Sequence, residues 1–101
     1  MPELARIVDT LKLPSGALAS GSLTITPSDS FIAVDGTAIS GGPFTVQIID
    51  GIVDLRMAPT EDAEPAVTYR AEYVLFGAKY AETWSVGREA DGPFTIAEVR
   101  Q

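Results

Sequence analysis

The densest cluster of carboxylates in the chain is Thr60-Glu61-Asp62-Ala63-Glu64-Pro65. Carboxylates backed by main-chain carbonyls are the ligands of a calcium site, but the alternating Asp/Asn spacing with a central Gly is missing. The segment therefore reads as a solvated connection. Asp54, Glu72 and Glu82 lie in strand-like segments, where a general acid and a partner carboxylate could flank a glycoside groove. No further group converges on them, and carboxylates on strands commonly serve solubility or discourage edge pairing. Ser15, Ser20, Ser22, Ser28, Ser30, Ser40 and Ser85 have neither a His nor a Ser-x-x-Lys pattern to activate them. Gly16, Gly21, Gly41 and Gly42 precede no helix that could hold a phosphate at its terminus.

The chain contains no His and no Cys, so imidazole bases, imidazole or thiolate metal ligands and thiolate nucleophiles are excluded. No catalytic residue, cofactor site or metal site is predicted, and the expectation is a protein that is not an enzyme and works through its surfaces. With 14 acidic against 7 basic residues the net charge is −7, and the cations are scattered from Arg6 to Arg100. A polyanion would be repelled, so no nucleic-acid partner is expected. Apolar runs reach only the length of Phe31-Ile32-Ala33-Val34, far short of the roughly 20 residues that span a bilayer, so no membrane partner is expected either. The start, Met1-Pro2-Glu3-Leu4-Ala5-Arg6, lacks the charged and apolar regions of a secretory signal. The lack of cysteine fits a reducing compartment.

The elements that must position such a surface are strands. At 101 residues one domain is expected, spanning 1–101. Period-two alternation dominates, and no window sustains a helical period over three turns. Eight strands are predicted: Arg6 to Lys12, Ser20 to Thr26, Phe31 to Val34, Thr37 to Ile39, Phe44 to Ile49, Ile52 to Met57, Val67 to Phe76 and Lys79 to Val86. Phe94 to Val99 would add a terminal one. Asp50-Gly51 is the strongest hairpin signal, because both residues tolerate positive φ, and Asp35-Gly36 and Gly77-Ala78 predict two more. Short strands with Gly and Pro punctuation favour an all-β, antiparallel β-sandwich of about seven to eight strands, with a small barrel as the competing arrangement.

Alternation also assigns faces. The predicted core is Leu23, Ile25, Phe44, Val46, Ile48, Val53, Leu55, Met57, Val67, Tyr69, Ala71, Tyr73 and Leu75, with Trp84 as anchor beside Tyr80, Glu82 and Val86. Gly42-Pro43-Phe44-Thr45-Val46 returns as Gly92-Pro93-Phe94-Thr95-Ile96, which reads as one strand-entry device used twice. Val74 and Phe76 fall on the outward phase of their strand, as do Ile49 and Ile52 around the Asp50-Gly51 turn. Either a loop or a terminus covers these four, or they form a partner-binding patch.

A larger pattern joins these pieces. Thr10-Leu11-Lys12-Leu13-Pro14-Ser15-Gly16 leads to Ala19-Ser20-Gly21-Ser22-Leu23-Thr24-Ile25-Thr26-Pro27, then to Asp50-Gly51-Ile52-Val53-Asp54-Leu55. Val67-Thr68-Tyr69-Arg70-Ala71, Glu82-Thr83-Trp84-Ser85-Val86 and Gly92-Pro93-Phe94-Thr95-Ile96-Ala97-Glu98-Val99 follow. In this order, which spans nearly the whole chain, the sequence resembles the small immunoglobulin-like or transthyretin-like sandwich domains of bacteriophage tail and baseplate proteins. It departs from them at Ala58-Pro59, where the acidic insert Thr60 to Pro65 intervenes.

The resemblance implies a structural virion protein: a minor tail, tail-tip or baseplate component acting as an assembly or connector module. It would be assembled in the host cytoplasm, with other virion structural proteins as partners and copies in a symmetric array. Docking would use a strand edge, or the apolar residues Val74, Phe76, Ile49 and Ile52. A capsid decoration protein would share this physics. A carbohydrate-binding sandwich, with Trp84 or Tyr80 as its aromatic platform, is the rival from another class.

Overall fold

A computed structural model describes residues 3–101; Met1 and Pro2, the start of the segment read for a secretory signal, lie outside the described residues. The described residues are mostly β and sandwich-like, with eight antiparallel strands in open sheets. They are β1 (Ala5–Thr10), β2 (Gly21–Pro27), β3 (Phe31–Ile32), β4 (Ala38–Ile39), β5 (Phe44–Ile48), β6 (Ile52–Met57), β7 (Tyr69–Leu75) and β8 (Ala78–Trp84). A four-stranded sheet has the order β5-β2-β7-β8, β1 pairs with β6, and β3 pairs with β4. The expected hairpin at Asp35-Gly36 is the β3–β4 pair, shorter than the sequence suggests.

Alternation sets the core. Leu23 and Ile25 of β2, Ile48 of β5, Tyr69, Ala71 and Tyr73 of β7, and Trp84 of β8 are buried on the inner face of the larger sheet. Ala5, Ile7, Val53, Leu55 and Met57 of β1 and β6 join them in the same cluster, and Val67 is also buried. Burying a side chain of this size is worth about 1.5–3 kcal/mol, so these alternating positions decide which way each strand faces. Trp84 is fully buried, as expected of a core anchor. Phe44 departs from the pattern at 37% exposure, and Val46 and Leu75 are only partly buried. The core is incompletely covered at these three positions, two of them on the edge strand β5.

Three expectations fail on tertiary grounds. Asp50-Gly51 is a tight turn with positive φ at both residues, but the Ile49–Ile52 bridge is not continued as a β5–β6 ladder. β5 pairs with β2 and β6 with β1, so the turn carries the chain from one sheet to the other. The third hairpin turns at Phe76-Gly77, because Leu75 stands opposite Ala78 and Gly77 supplies the positive φ. Phe94 to Val99 is not a strand. Phe94 makes one parallel bridge to Ile7, after which Thr95 caps a short helix α1 (Ile96–Val99). The Thr95 hydroxyl accepts from the Glu98 N–H, and the Glu98 carboxylate accepts from the Thr95 N–H. The repeated Gly-Pro-Phe-Thr device thus enters a strand only at its first occurrence.

Pro27 ends β2 at a tolerated place. Ser28 N–H donates to the Thr68 carbonyl, so by the alternation of an antiparallel ladder the N position of Pro27 faces away from β7. No ladder bond is lost there.

Candidate functional site

Registers gather the predicted residues at one end of the molecule. Gly21 stands opposite both Ile48 and Leu75, so one step further Ser20 lies between Ile49 and Phe76. The Phe76 N–H donates to the Ser20 carbonyl at 3.0 Å, and the Asp50 N–H donates to Ser20 Oγ at 3.2 Å. On the same outer face, Ser22 lies between Gln47 and Val74. Ile52 joins through its bridge to Ile49. Ile49, Ile52, Val74 and Phe76 are 67%, 62%, 52% and 81% exposed, so no loop or terminus among the described residues covers them.

Three chain reversals build this end: Pro14-Ser15-Gly16, Asp50-Gly51 and Phe76-Gly77, with Gly16, Gly51 and Gly77 all at positive φ. They are tied together by backbone bonds. Leu11 N–H donates to the Gly51 carbonyl, and Gly51 N–H donates to the Ala19 carbonyl, both at 2.7 Å. Gly21 is required for a different reason: a Cβ there would overlap the Val74 carbonyl oxygen, and its φ of +154° lies where L side chains are rare. This close approach of β2 to β7 floors a shallow depression of about 460 Å³ lined by Gly21, Ser22, Gln47, Val74, Leu75 and Phe76.

Leu18 belongs to the same surface and was not singled out by sequence. It is 49% exposed, sits against Gly51 and bridges to Lys12. A large apolar residue two places after the Pro-x-Gly turn was its available signal. Lys12 and Lys79, the latter opposite Val74, rim the apolar residues, and neither forms an ion pair among the described residues. The apolar end therefore carries two lysines at its rim, with Asp50 exposed in the turn between Ile49 and Ile52, on a chain whose net charge is −7.

The opposite end is acidic, and several of its polar groups are paired within the molecule. Glu61, Asp62, Glu64, Glu89 and Asp91 lie there with Arg88, which binds both carboxylate oxygens of Glu3 at 2.8 and 2.7 Å. Those bonds, with the Glu89 N–H, hold the Glu3 carboxyl below its ordinary range. Thr60 Oγ1 accepts from Val86 N–H, and the Tyr69 hydroxyl donates to the Ala58 carbonyl at 2.7 Å. Burial pushes the Tyr69 hydroxyl up to about 12. Among the described residues no three carboxylates of the acidic insert or elsewhere converge as a metal-binding group.

The strand carboxylates considered for glycoside chemistry are not brought together around a groove. Asp54 is held by Arg6 at 2.8 Å on the outer face of β6, and Glu72 by Arg70 on the outer face of β7. Glu82 lies on the inner side of β8. It accepts from the Tyr73 hydroxyl at 2.6 Å and the Trp84 indole at 2.9 Å through one oxygen, and from Arg100 at 2.6 Å through the other. Burial pushes its pKa up, but the three donors outweigh that and leave it below the ordinary value. This carboxylate is a structural clamp on the C-terminal segment.

The aromatic platforms fare differently. Trp84 is inaccessible, which corrects its candidacy as a sugar platform. Tyr80 is 43% exposed, but one face of its ring is stacked on Tyr73 with centroids 4.4 Å apart. Among the described residues no helix is long and apolar enough to cross a membrane. Compared with known proteins, the chain matches no family model, no curated protein and no solved structure.

Proposed function

We propose that this protein is a structural virion protein of a bacteriophage, a minor tail, tail-tip or baseplate component that serves as an assembly or connector module. The observation that carries the reading is the apolar, lysine-rimmed end formed by Leu18, Ile49, Ile52, Val74 and Phe76. Apolar side chains concentrated at one end, rimmed by polar groups, are characteristic of protein-docking surfaces. The immunoglobulin-like or transthyretin-like sandwich supplies the scaffold, and the order of sequence motifs supplies the phage context. The partner is another virion structural protein with an apolar centre and carboxylates around it, matched to Lys12 and Lys79.

Mechanistically the module docks without chemistry. Burial of Phe76 and its neighbours supplies affinity, and the acidic opposite end disfavours unspecific association. The test is quantitative mass spectrometry and electron cryomicroscopy of purified particles from a phage encoding the chain. The expected result is a fixed copy number at a tail or baseplate position, with the apolar end buried against a neighbour. Density on the capsid surface would make it a decoration protein, and recovery only as a free host protein would overturn the virion reading.

A further inference from the structure

β5 is an open sheet edge of a kind that proteins ordinarily guard. Edge strands present unpaired N–H and C=O groups and are usually blunted by charge, proline or a covering segment. β8 is guarded in these ways: it carries Lys79, and its outer edge is partly taken by the C-terminal segment. Ser85 N–H donates to the Val99 carbonyl, and Gln101 N–H donates to the Thr83 carbonyl. β6 carries Asp54 and Arg56, and Phe94 covers part of β1. β5, Phe44-Thr45-Val46-Gln47-Ile48, has no charge and no proline. Among the described residues no backbone hydrogen bond reaches its outer side.

The ladder identifies which groups are open. Phe76 N–H donates to Ser20, so alternation turns the backbone groups of Gly21, Leu23 and Ile25 toward β5. Their partners Ile48, Val46 and Phe44 are therefore satisfied, while Thr45 and Gln47 direct their N–H and C=O outward. The core is also unfinished here, with Phe44 37% exposed and Val46 partly buried.

We infer that β5 pairs antiparallel with β5 of a second copy across a two-fold axis at Val46. Thr45 then stands opposite Gln47 of the copy, and each such pair exchanges two hydrogen bonds. Phe44 meets Ile48 of the copy on the inner face, and Val46 meets its own equivalent. The register joins two four-stranded sheets into one continuous sheet. The register argues for a second copy as occupant: under this two-fold the outward-directed Thr45 and Gln47 of one strand meet those of the other, exposed Phe44 gains an apolar neighbour, and the uncharged strand puts no like charges face to face. The inference needs only this edge and is independent of the virion reading.

Sedimentation of the full chain tests it, together with T45K/Q47K, which guards the edge at two exposed, outward-pointing positions. Wild type is expected to sediment as a dimer in reversible equilibrium, and T45K/Q47K as a monomer with an unchanged circular dichroism spectrum. Because the chain has no cysteine, V46C gives a second readout: mild oxidation should yield a covalent dimer, whereas T45C, away from the axis, should not. A wild-type monomer at every concentration would overturn the inference, as would a dimer that persists in T45K/Q47K. Should T45K/Q47K fail to fold, V46C decides: cross-linking supports the pairing, and its absence overturns it. F76E is expected to keep the dimer, and its loss there would move the contact to the apolar end.

Discussion

The two ends of the sandwich are built from opposite materials. At the acidic end, the buried and half-buried polar groups are matched inside the molecule: Tyr69 to the Ala58 carbonyl, Thr60 to Val86, and Arg88 to Glu3. Nearby, Glu82 gathers Tyr73, Trp84 and Arg100. At the three-turn end, apolar side chains stand largely in solvent, uncovered by any loop or terminus among the described residues. The contrast separates two tasks. Satisfied polar networks fasten loops and the C-terminal segment to the core, whereas exposed Phe76, Ile49 and Ile52 add nothing to that core and are free to contact something else.

Substitutions at the two ends should therefore separate stability from association. The largest stability loss is expected for Trp84→Ala, about 3–5 kcal/mol in denaturant unfolding, from the cavity and lost burial at a fully inaccessible site. Glu82→Ala should cost less, about 1–3 kcal/mol, by leaving the Tyr73 hydroxyl and Trp84 indole without their acceptor. At the other end, I49S/I52S should leave unfolding free energy within about 0.5 kcal/mol of wild type. A large loss there would mean that these residues belong to the core and would erase the contrast.

Acid sharpens the same contrast. Glu3, Glu82, Asp35 and Asp54 all have carboxyl groups held below their ordinary range, by donors from Arg88, the Tyr73–Trp84–Arg100 set with burial opposing it, the Glu3 and Thr37 backbone, and Arg6 respectively. The folded chain then binds fewer protons than the unfolded chain across the carboxylate range. Stability is complete above the unfolded values of about 4 and is lost as pH falls through the lower folded ones. Thermal melts from pH 7 downward should stay flat until about pH 4 to 5 and then fall, with a shallower fall in Glu82→Gln. I49S/I52S should show the wild-type pH profile, since neither residue touches these groups.

The faces of the strands were legible because alternation is local: Leu23, Ile25, Tyr73 and Trp84 face inward, and Val74, Phe76, Ile49 and Ile52 stay exposed. Pairing was less so, because Asp50-Gly51 makes the same tight turn whether its flanking strands continue as a hairpin or depart into two sheets. Which of these happens depends on β1 and β2, far away in sequence. Phe44 has the correct phase for the core but lies on an edge strand, and edge position is a tertiary property. The helix at Ile96–Val99 had a readable signal, Thr95 followed three residues later by Glu98, that the apparent repeat of Gly-Pro-Phe-Thr obscured. Leu18 was hidden in a turn whose packing against Gly51 involves another sheet connection.

The most direct test of the docking role is incorporation of Phe76→Glu into particles, measured against wild type expressed at the same level. Phe76 is 81% exposed, so the variant should fold with unchanged stability and be absent from purified particles. Normal incorporation of folded F76E would contradict the account, because the apolar end would then not be the surface by which the module is held.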